Sequence, residues 1–286
     1  MSDQLSAKRI LVTGASRGIG RVVATTLADR QAELVLVARD AKALAGLVAE
    51  LPGGPHRSIA LDVSDERAWV EVREKLASDG PLHGVVTAAG VLGPIGPVGS
   101  WDVAEFRATL DVNVTGTLLA VVASLEPLIA GRGSIVTFSG GGATAPFPRF
   151  DAYAASKAAV VRLTENLAAT LIEHGVRANS VAPGFIVTAM HDATIAAGPE
   201  AVGTDYYERT RRAIAEGTGD PPELAGELTA FLLSDAATGI TGKLISARWD
   251  PWRDEEFQAR LRAEKDLATL RRIDDQFFTA AGAVGR

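Results

Sequence analysis

The chain contains no cysteine, and this absence removes several kinds of chemistry at once. Disulfide bridges, thiolate nucleophiles, and zinc or iron–sulfur sites held by cysteine are all excluded. The spacing of the four histidines does not match the ligands of one metal ion, so we expect no metal site. These histidines are His56, His83, His174 and His191. Of these, His191 has a placement that would allow contact with a substrate.

Excess positive charge and long apolar runs are also missing. The 286 residues carry 29 Lys and Arg against 35 Asp and Glu, so the formal net charge is −6 at pH 7. This balance argues against a nucleic-acid partner. The first residues are polar, and no uninterrupted apolar stretch approaches the length of about 18 residues that a membrane span needs. We therefore expect a cytoplasmic protein without a membrane partner.

Short aliphatic runs alternate along the chain with longer Ala- and Leu-rich segments of helical period. This pattern is typical of repeated βα units on a parallel sheet. We predict a single α/β domain of the doubly wound Rossmann type, with a seven-stranded parallel sheet flanked by helices. The predicted strands are 10–12, 34–37, 58–61, 85–87, 135–138, 179–181 and 244–246. Predicted helices begin near residues 20, 41, 66, 104, 153 and 222.

Two segments depart from this alternation. Residues 188–218 follow the sixth strand, and we predict that they fold over a site as a substrate lid. Residues 249–286 extend the Rossmann domain of residues 1–248, and their pattern over 254–278 predicts a helix. This helical extension would cover the lid or dock on a second subunit, with a frayed charged tail as the alternative. Trp249 and Trp252 at its start are expected not to stay wholly in water.

A glycine-rich turn follows the first strand, where residues 8–20 read KRILVTGASRGIG. Glycines allow a tight turn and close approach of the backbone to a ligand, and the next helix offers free N–H groups to a pyrophosphate. A turn without a ligand is the alternative, but the strand before it and the helix after it favour a cofactor site. The residues predicted to hold the cofactor here are Gly14, Ser16, Arg17, Gly18, Ile19 and Gly20.

The spacing TGxxxGxG resembles that of the short-chain dehydrogenase/reductase family, and the resemblance covers residues 8 to 246. Residues 62–63 match the pair that contacts adenine in this family, and residues 183–188 match the loop that faces the nicotinamide carboxamide. Residues 87–90, Thr-Ala-Ala-Gly, stand where the family usually has Asn-Asn-Ala-Gly, which removes two amide side chains. The resemblance adds these residues to the predicted cofactor site: Asp62, Val63, Ala89, Gly90, Pro183, Gly184, Ile186 and Thr188.

The end of the second strand indicates which nicotinamide cofactor is bound. An acidic residue there would bind the ribose hydroxyl of NAD, but this chain has Ala38 followed by Arg39. A guanidinium suits the 2′-phosphate of NADP, and Arg17 supplies a second cation, unless both arginines are only solvated surface charges. Asp40 is a complication, because a small backbone shift would bring its carboxylate to the ribose. We predict NADP as the cofactor, with NAD as the alternative.

Tyr153 and Lys157 are four residues apart in a predicted helix, so both side chains lie on one face. A neighbouring ammonium stabilises a phenolate, and we therefore expect Lys157 to lower the pKa of Tyr153. In the resembled family the tyrosine exchanges a proton with the substrate oxygen, and the lysine also binds the nicotinamide ribose. Asn113 matches a helical asparagine that supports a water chain to the lysine. The resemblance thus implies that Tyr153 and Lys157 contact both cofactor and substrate.

The substrate-orienting serine of the family has no direct match. The family places it thirteen residues before the tyrosine, where this chain has Gly140, and Ser139 lies one position earlier. A shift by one residue would turn the Ser139 hydroxyl away from the site, whereas an extra residue in the loop 140–151 would restore it. We predict that Ser139 hydrogen bonds to the substrate oxygen, with Thr144 as the next candidate.

Together these residues predict an NADP-dependent oxidoreductase that transfers hydride between nicotinamide and a secondary alcohol or ketone, with carbonyl reduction as the expected direction. A cofactor-binding regulatory or structural protein without turnover is the alternative that Gly140 suggests. Sugar-nucleotide epimerisation fits the glycine spacing and the length poorly. The expected partner is a small carbonyl or alcohol substrate, and the resemblance implies a homodimer or homotetramer.

Overall fold

The structure is a computed structural model and describes residues 5–272. Within this range all strand pairs are parallel, and the strands form one sheet in the order β3-β2-β1-β4-β5-β6-β7. The predicted seven-stranded, doubly wound sheet is therefore confirmed. The strands are β1 (Arg9–Thr13), β2 (Glu33–Ala38), β3 (Arg57–Ala60), β4 (Gly84–Thr87), β5 (Ser134–Phe138), β6 (Arg177–Ala182) and β7 (Leu244–Ser246).

Helices connect these strands, and several begin where an aspartate caps the first turn. The Asp65 side chain accepts hydrogen bonds at the start of α3, and Asp102 forms a capping box with Glu105 at the start of α4. The helices are α1 (Gly18–Asp29), α2 (Ala41–Glu50), α3 (Glu66–Ser78), α4 (Val103–Leu110), α5 (Gly116–Ala130), α6 (Asp151–Leu171), α7 (Met190–Val202), α8 (Thr204–Glu216), α9 (Pro222–Leu233) and α10 (Glu255–Ala263).

Strands β1, β2, β4 and β5 are buried on both faces because helices cover each side of the sheet, whereas the edge strand β3 is largely exposed. In β1, Ile10 and Val12 pack into one apolar cluster, whereas Leu11 packs into the other. The first cluster includes side chains of α1, α2, α9 and α10, and the second includes side chains of α3, α5 and α6. This arrangement explains why the strands read as continuous apolar runs rather than as alternating ones.

Because the sheet is parallel, all strands end at the same edge. The glycine-rich turn follows β1, Arg39 follows β2, and Asp62 lies just after β3. Ser139 follows β5, and residues 183–188 follow β6. Ligands of open α/β sheets bind outside the carboxyl ends of the strands, so the topology brings the predicted cofactor and catalytic residues to one edge.

The long helical segment Val103–Ala130 joins α4 and α5 through a π-helical turn. Its length and its mean hydropathy of 1.6 would by themselves allow it to cross a membrane, but half of its most apolar window is buried inside the fold. The central helix of a soluble α/β domain has the same composition. This segment is therefore weak evidence for membrane insertion.

Residues 188–218 contain two helices, α7 and α8, which pack against each other beyond the end of β6. Helix α7 bends at Gly198, where the backbone has φ of +77°. Glycine tolerates this left-handed conformation without a steric cost. The segment therefore has the length and structure of a lid, and its function as a lid stays a prediction.

The predicted helix over 254–278 is wrong for residues 264–272, because α10 ends at Ala263. The Lys243 ammonium donates hydrogen bonds to the backbone carbonyls of Glu264, Lys265 and Leu267 at 2.6 to 3.1 Å. The N–H of Leu244 in β7 donates to another carbonyl of this segment at 2.7 Å. These two donors satisfy carbonyls of residues 264–268 that have no helical partner. The segment in turn covers the edge of β7. Ile273 and Phe277 of the predicted apolar stripe lie outside the described residues.

The two tryptophans of the extension differ in burial. Trp252 is 5% exposed, its indole N–H donates to the Ala247 carbonyl at 3.2 Å, and its ring lies 5.7 Å from that of Phe231. Trp249 is 78% exposed, with the guanidinium of Arg248 over its ring. Neither ring is thus wholly in water, but only Trp252, which faces α9, is buried.

Candidate active site

The glycine-rich turn is built so tightly that side chains would not fit at two of its positions. Gly14 has φ of +68°, and a Cβ atom there would lie 2.6 Å from the backbone nitrogen of Ala89. A Cβ atom on Gly20 would overlap the carbonyl oxygen of Gly14. The turn therefore packs backbone to backbone against the end of β4, as a dinucleotide cradle requires.

The outer side of the same turn faces the loop after β6. A Cβ atom on Gly18 would lie 3.7 Å from the Cγ2 atom of Thr188, which brings two predicted cofactor-binding segments together. Arg17 is exposed at the N-cap of α1, and Ser16 and Ile19 are half-buried beside it. No side chain caps α1 within the described residues, so its first N–H groups are available to a phosphate.

The end of β2 places Arg39 beside the predicted adenine-contacting pair. Its guanidinium lies 3.8 Å from the Asp62 carboxylate, and both side chains are exposed. Hydrogen bonds from the Ser64 hydroxyl and backbone N–H, at 2.6 and 3.0 Å, lower the pKa of Asp62. The Asp40 carboxylate accepts a hydrogen bond from the N–H of Ala43 at 2.9 Å and caps α2. This bond directs Asp40 toward the helix. Val63 is buried next to Asp62.

The Thr-Ala-Ala-Gly sequence at the end of β4 leaves the sheet intact. Strand β4 pairs with both β1 and β5, and the N–H of Ala89 donates to the Thr13 hydroxyl at 3.3 Å. The hydroxyl of Thr87 is buried and has no hydrogen-bond partner within residues 5–272. The loss of the two amides therefore removes side-chain hydrogen bonds without changing the strand pairing.

Just beyond the end of β4, the backbone at Gly90 lies close to the side chains of Asn113 and Lys157. A Cβ atom on Gly90 would lie 3.3 Å from Asn113 Oδ1 and 3.6 Å from Lys157 Nζ. The Asn113 amide exchanges hydrogen bonds of 2.8 and 2.9 Å with the backbone of Val91 and donates one of 2.8 Å to the Ser156 hydroxyl. Asn113 lies in the π-helical turn Asp111–Thr115, a local widening that is frequent at functional sites.

Tyr153 and Lys157 lie on one face of α6, and the Lys157 ammonium is 5.6 Å from the centroid of the Tyr153 ring. The ammonium donates a hydrogen bond to the Phe138 carbonyl at 3.0 Å. Burial lowers the pKa of Lys157 to about 8. Burial, and then electrostatic interaction with Tyr206, raise the pKa of Tyr153 to about 12. The expected lowering of the tyrosine pKa is therefore wrong for this state of the protein, because desolvation of the phenolate dominates.

Gly140 lies directly beside the tyrosine hydroxyl. A Cβ atom on Gly140 would overlap Tyr153 Oη and lie 2.9 Å from the Cζ atom. The pairing of β5 with β6 continues through Ser139, whose N–H donates to Val181 at 2.9 Å, so the backbone shows no shift in register. Ser139 is buried and Thr144 is exposed. The hydrogen bond from Ser139 to the substrate stays a prediction.

An aromatic cluster beside Tyr153 was not predicted from the sequence. The Tyr206 ring of α8 packs edge-on against Phe147 and Phe150, with centroids 5.0 and 5.3 Å apart, and lies 6.4 Å from Phe185. We call these four residues the aromatic cluster. A sequence signal did exist, because Tyr206 is one of only three tyrosines and lies in the predicted lid.

The loop after β6 is held in place by α9 and its preceding turn. Gly184 has φ of +91°, and the Phe185 N–H donates to the Asp220 carboxylate at 2.8 Å. Ile186 is buried in the core next to it. His191 packs edge-on against Phe185, and burial lowers the pKa of His191. Among residues 5–272, no group of three or more histidine and acidic side chains is arranged to hold a metal ion.

The fold, the glycine-rich cradle and the Tyr-Lys-Asn cluster define a dinucleotide-binding oxidoreductase of the Rossmann type. A family model described as enoyl-(acyl carrier protein) reductase matches residues 14–247. The chain is 32% identical over 254 residues to cis-4-hydroxycyclohexanecarboxylate dehydrogenase of Sinomonas cyclohexanicum, covering 86% of this chain and 97% of the relative. It is 31% identical over 243 residues to D-threitol dehydrogenase of Mycolicibacterium smegmatis, covering 84% and 90% of the two chains.

A solved structure of a putative gluconate 5-dehydrogenase from Beutenbergia cavernae, with NADP bound at low occupancy, superposes with a TM-score of 0.76 at 28% identity. The match covers 86% of this chain and 97% of that one. The chain belongs to the short-chain dehydrogenase/reductase family, as the sequence motifs predicted. It is an oxidoreductase that acts on CH–OH or C=O groups with a nicotinamide cofactor.

Proposed function

We propose that this protein is an NADP-dependent oxidoreductase that reduces a ketone to a secondary alcohol. The observation that carries the proposal is that Tyr153, Lys157 and Asn113 lie close together at the same sheet edge as a glycine-rich turn that packs backbone to backbone against the end of β4. The cofactor, when bound, supplies the hydride. The residues that would hold it are those of the turn 14–20, Arg39, the pair 62–63, residues 89–90, Tyr153, Lys157 and the loop 183–188.

Three features support NADP rather than NAD. Arg39 is exposed at the end of β2 and free to approach a 2′-phosphate, with Arg17 exposed on the adjacent turn. Asp40 is engaged in capping α2, so the carboxylate that would favour NAD is directed elsewhere. The related protein from Beutenbergia cavernae binds NADP.

The Tyr153 phenol is protonated at neutral pH because burial raises its pKa to about 12, and a protonated phenol can give its proton to a carbonyl oxygen during reduction. The Lys157 ammonium would bind the nicotinamide ribose and stabilise the phenolate that remains. Asn113 holds the backbone next to Lys157 through its bonds with Val91 and Ser156. In this scheme Tyr153 acts as the acid, and Asn113 positions the lysine.

The aromatic cluster favours a substrate with an apolar body, because it brings apolar rings from the loops after β5 and β6 together with the ring of Tyr206 on α8. A relative that acts on a substituted cyclohexane ring agrees with this class. We propose that residues 188–218 close over this substrate as a lid, and that residues 249–286 form an extension of the domain of residues 1–248.

We also propose a homodimer or homotetramer in the cytoplasm. Helix α5 exposes 40% of Leu118 and 48% of Val122, two large apolar side chains one helical turn apart. A second copy of the chain would cover this face, since symmetric oligomers bring the same surface of each subunit together.

A panel of cyclic and linear ketones, with NADPH or NADH followed by absorbance, tests this function. We expect NADPH oxidation with an apolar ketone, and we expect Tyr153→Phe to keep NADP affinity while losing turnover, because only the proton-donating oxygen is removed. Turnover of Tyr153→Phe close to that of the parent would contradict the assigned role. If the parent binds NADP but reduces no ketone, the cofactor-binding protein without turnover, which Gly140 favours, becomes the better description.

A further inference from the structure

The loop after β5 provides no side chain at residue 140, which lies beside the Tyr153 hydroxyl. A side chain at residue 140 would contact that hydroxyl directly, but the residue is glycine. Carbonyl reduction builds negative charge on the substrate oxygen, and a second hydrogen-bond donor stabilises such charge in a site that excludes water. Residue 140 cannot supply such a donor, so a hydroxyl that serves this purpose must come from another residue.

Tyr206 is held in place by rings from three segments near the carboxyl ends of β5 and β6. Phe147 belongs to the loop after β5, Phe150 immediately precedes α6, and Phe185 belongs to the loop after β6. Edge-to-face contacts of this kind fix the plane of a ring. The Tyr206 ring is therefore oriented by the same segments that position Tyr153.

Further contacts bring Tyr206 to the end of β5. A Cβ atom on Gly141 would lie 3.1 Å from the ring of Phe147, so the ring that contacts Tyr206 also covers the residue after Gly140. Tyr206 also interacts electrostatically with Tyr153. Burial raises the pKa of Tyr206 and outweighs the opposing effects of Arg209 and of a hydrogen bond with Thr210, so the phenol keeps its proton at neutral pH and is a donor.

We propose that Tyr206 donates a hydrogen bond to the substrate oxygen beside Tyr153, and thereby supplies from the lid the hydroxyl that residue 140 lacks. The proposal rests on the proposed function. Tyr206 breaks no bond in this scheme: the proton comes from Tyr153, and the O–H bond of Tyr206 stays intact. Because Tyr206 is on α8, the donor is part of the lid, so the position of the lid determines whether both phenols reach the substrate.

Tyr206→Phe tests the proposal, because it removes the hydroxyl and keeps the ring in the aromatic cluster. We expect kcat/KM for the ketone to fall by ~10²-fold, as for the loss of one donor from other oxyanion sites, with NADP affinity unchanged. Tyr207→Phe is the matched control, since its side chain points about 100° away on the same helix. We expect Tyr207→Phe to keep the activity of the parent.

A spectroscopic titration of phenolate gives a second readout that needs no substrate. The chain has only three tyrosines, so single Tyr→Phe variants assign each transition. We expect Tyr206→Phe to lower the pKa of Tyr153, because a neighbouring phenolate is removed, and Tyr207→Phe to leave it unchanged.

An active parent whose Tyr206→Phe variant keeps full turnover would overturn this proposal alone, whatever the titration shows. A loss of activity in Ser139→Ala with none in Tyr206→Phe would assign the donor to Ser139 and overturn it as well. A parent that binds NADP but reduces no ketone would refute the proposed function and this proposal together.

Discussion

Burial of the Lys157 ammonium should lower the free energy of unfolding at neutral pH. The variant Lys157→Met measures this cost. Burial lowers the pKa of this group from 10.5 to about 8. One pKa unit is worth about 1.4 kcal/mol, so the charged ammonium costs the folded state about 3 kcal/mol relative to the unfolded chain. Methionine also leaves the Phe138 carbonyl without this donor, which costs about 1 kcal/mol. We expect Lys157→Met to raise the free energy of unfolding at pH 7 by about 2 kcal/mol.

The pH dependence has a defined sign. Below about pH 8 the lysine is charged in both states, and the full cost of burial is present. Between about pH 8 and 10.5 the folded protein has released the proton while the unfolded chain keeps it, so the parent gains stability as pH rises. The advantage of Lys157→Met should therefore shrink across this interval and reverse by about pH 10.5, where only the lost hydrogen bond remains.

Urea unfolding of the cofactor-free parent and variant at pH 7, 8.5 and 10 measures this difference. Lys243→Met is the contrasting variant, because Lys243 is 4% exposed but donates to three carbonyls. We expect it to destabilise the protein by about 2 kcal/mol or more at pH 7, since several carbonyls lose their donor together. A Lys157→Met protein less stable than the parent at pH 7, or one whose stability difference is the same at pH 7 and 10, would refute the reasoning.

Two further predictions concern the cofactor and the extension. Arg39→Asp should weaken NADP binding by ~10²-fold and NAD binding far less, because a carboxylate then faces the 2′-phosphate; equal losses by isothermal titration calorimetry would contradict the assignment to NADP. Trp252→Ala should lower the free energy of unfolding by about 3 kcal/mol, because it empties a buried site against Phe231, whereas exposed Trp249→Ala should leave it nearly unchanged. Similar denaturation midpoints for the two tryptophan variants would show that residues 249–272 contribute little to the core.

Local patterns in the sequence determined the sheet, the cofactor cradle and the Tyr-Lys pair. The central strands are visible because parallel strands buried on both faces are largely apolar, and the cradle is visible because only glycine permits the backbone contact between Gly14 and Ala89. The position of Tyr153 and Lys157 on one face follows from helical periodicity alone. Each of these features depends on residues that are close together in the chain or on a property of a single position.

Contacts between distant segments were decided only by the tertiary structure. The end of α10 depends on Lys243, which lies about twenty residues away and takes the carbonyls that a longer helix would have used. The burial of Trp252 rather than Trp249 depends on which of them faces α9. Tyr206 contacts Phe147 and Phe150, which precede it by more than fifty residues. Periodicity within one element cannot predict a contact between distant elements. The raised pKa of Tyr153 has the same origin, because desolvation depends on everything that packs around a group and not on the lysine four residues away.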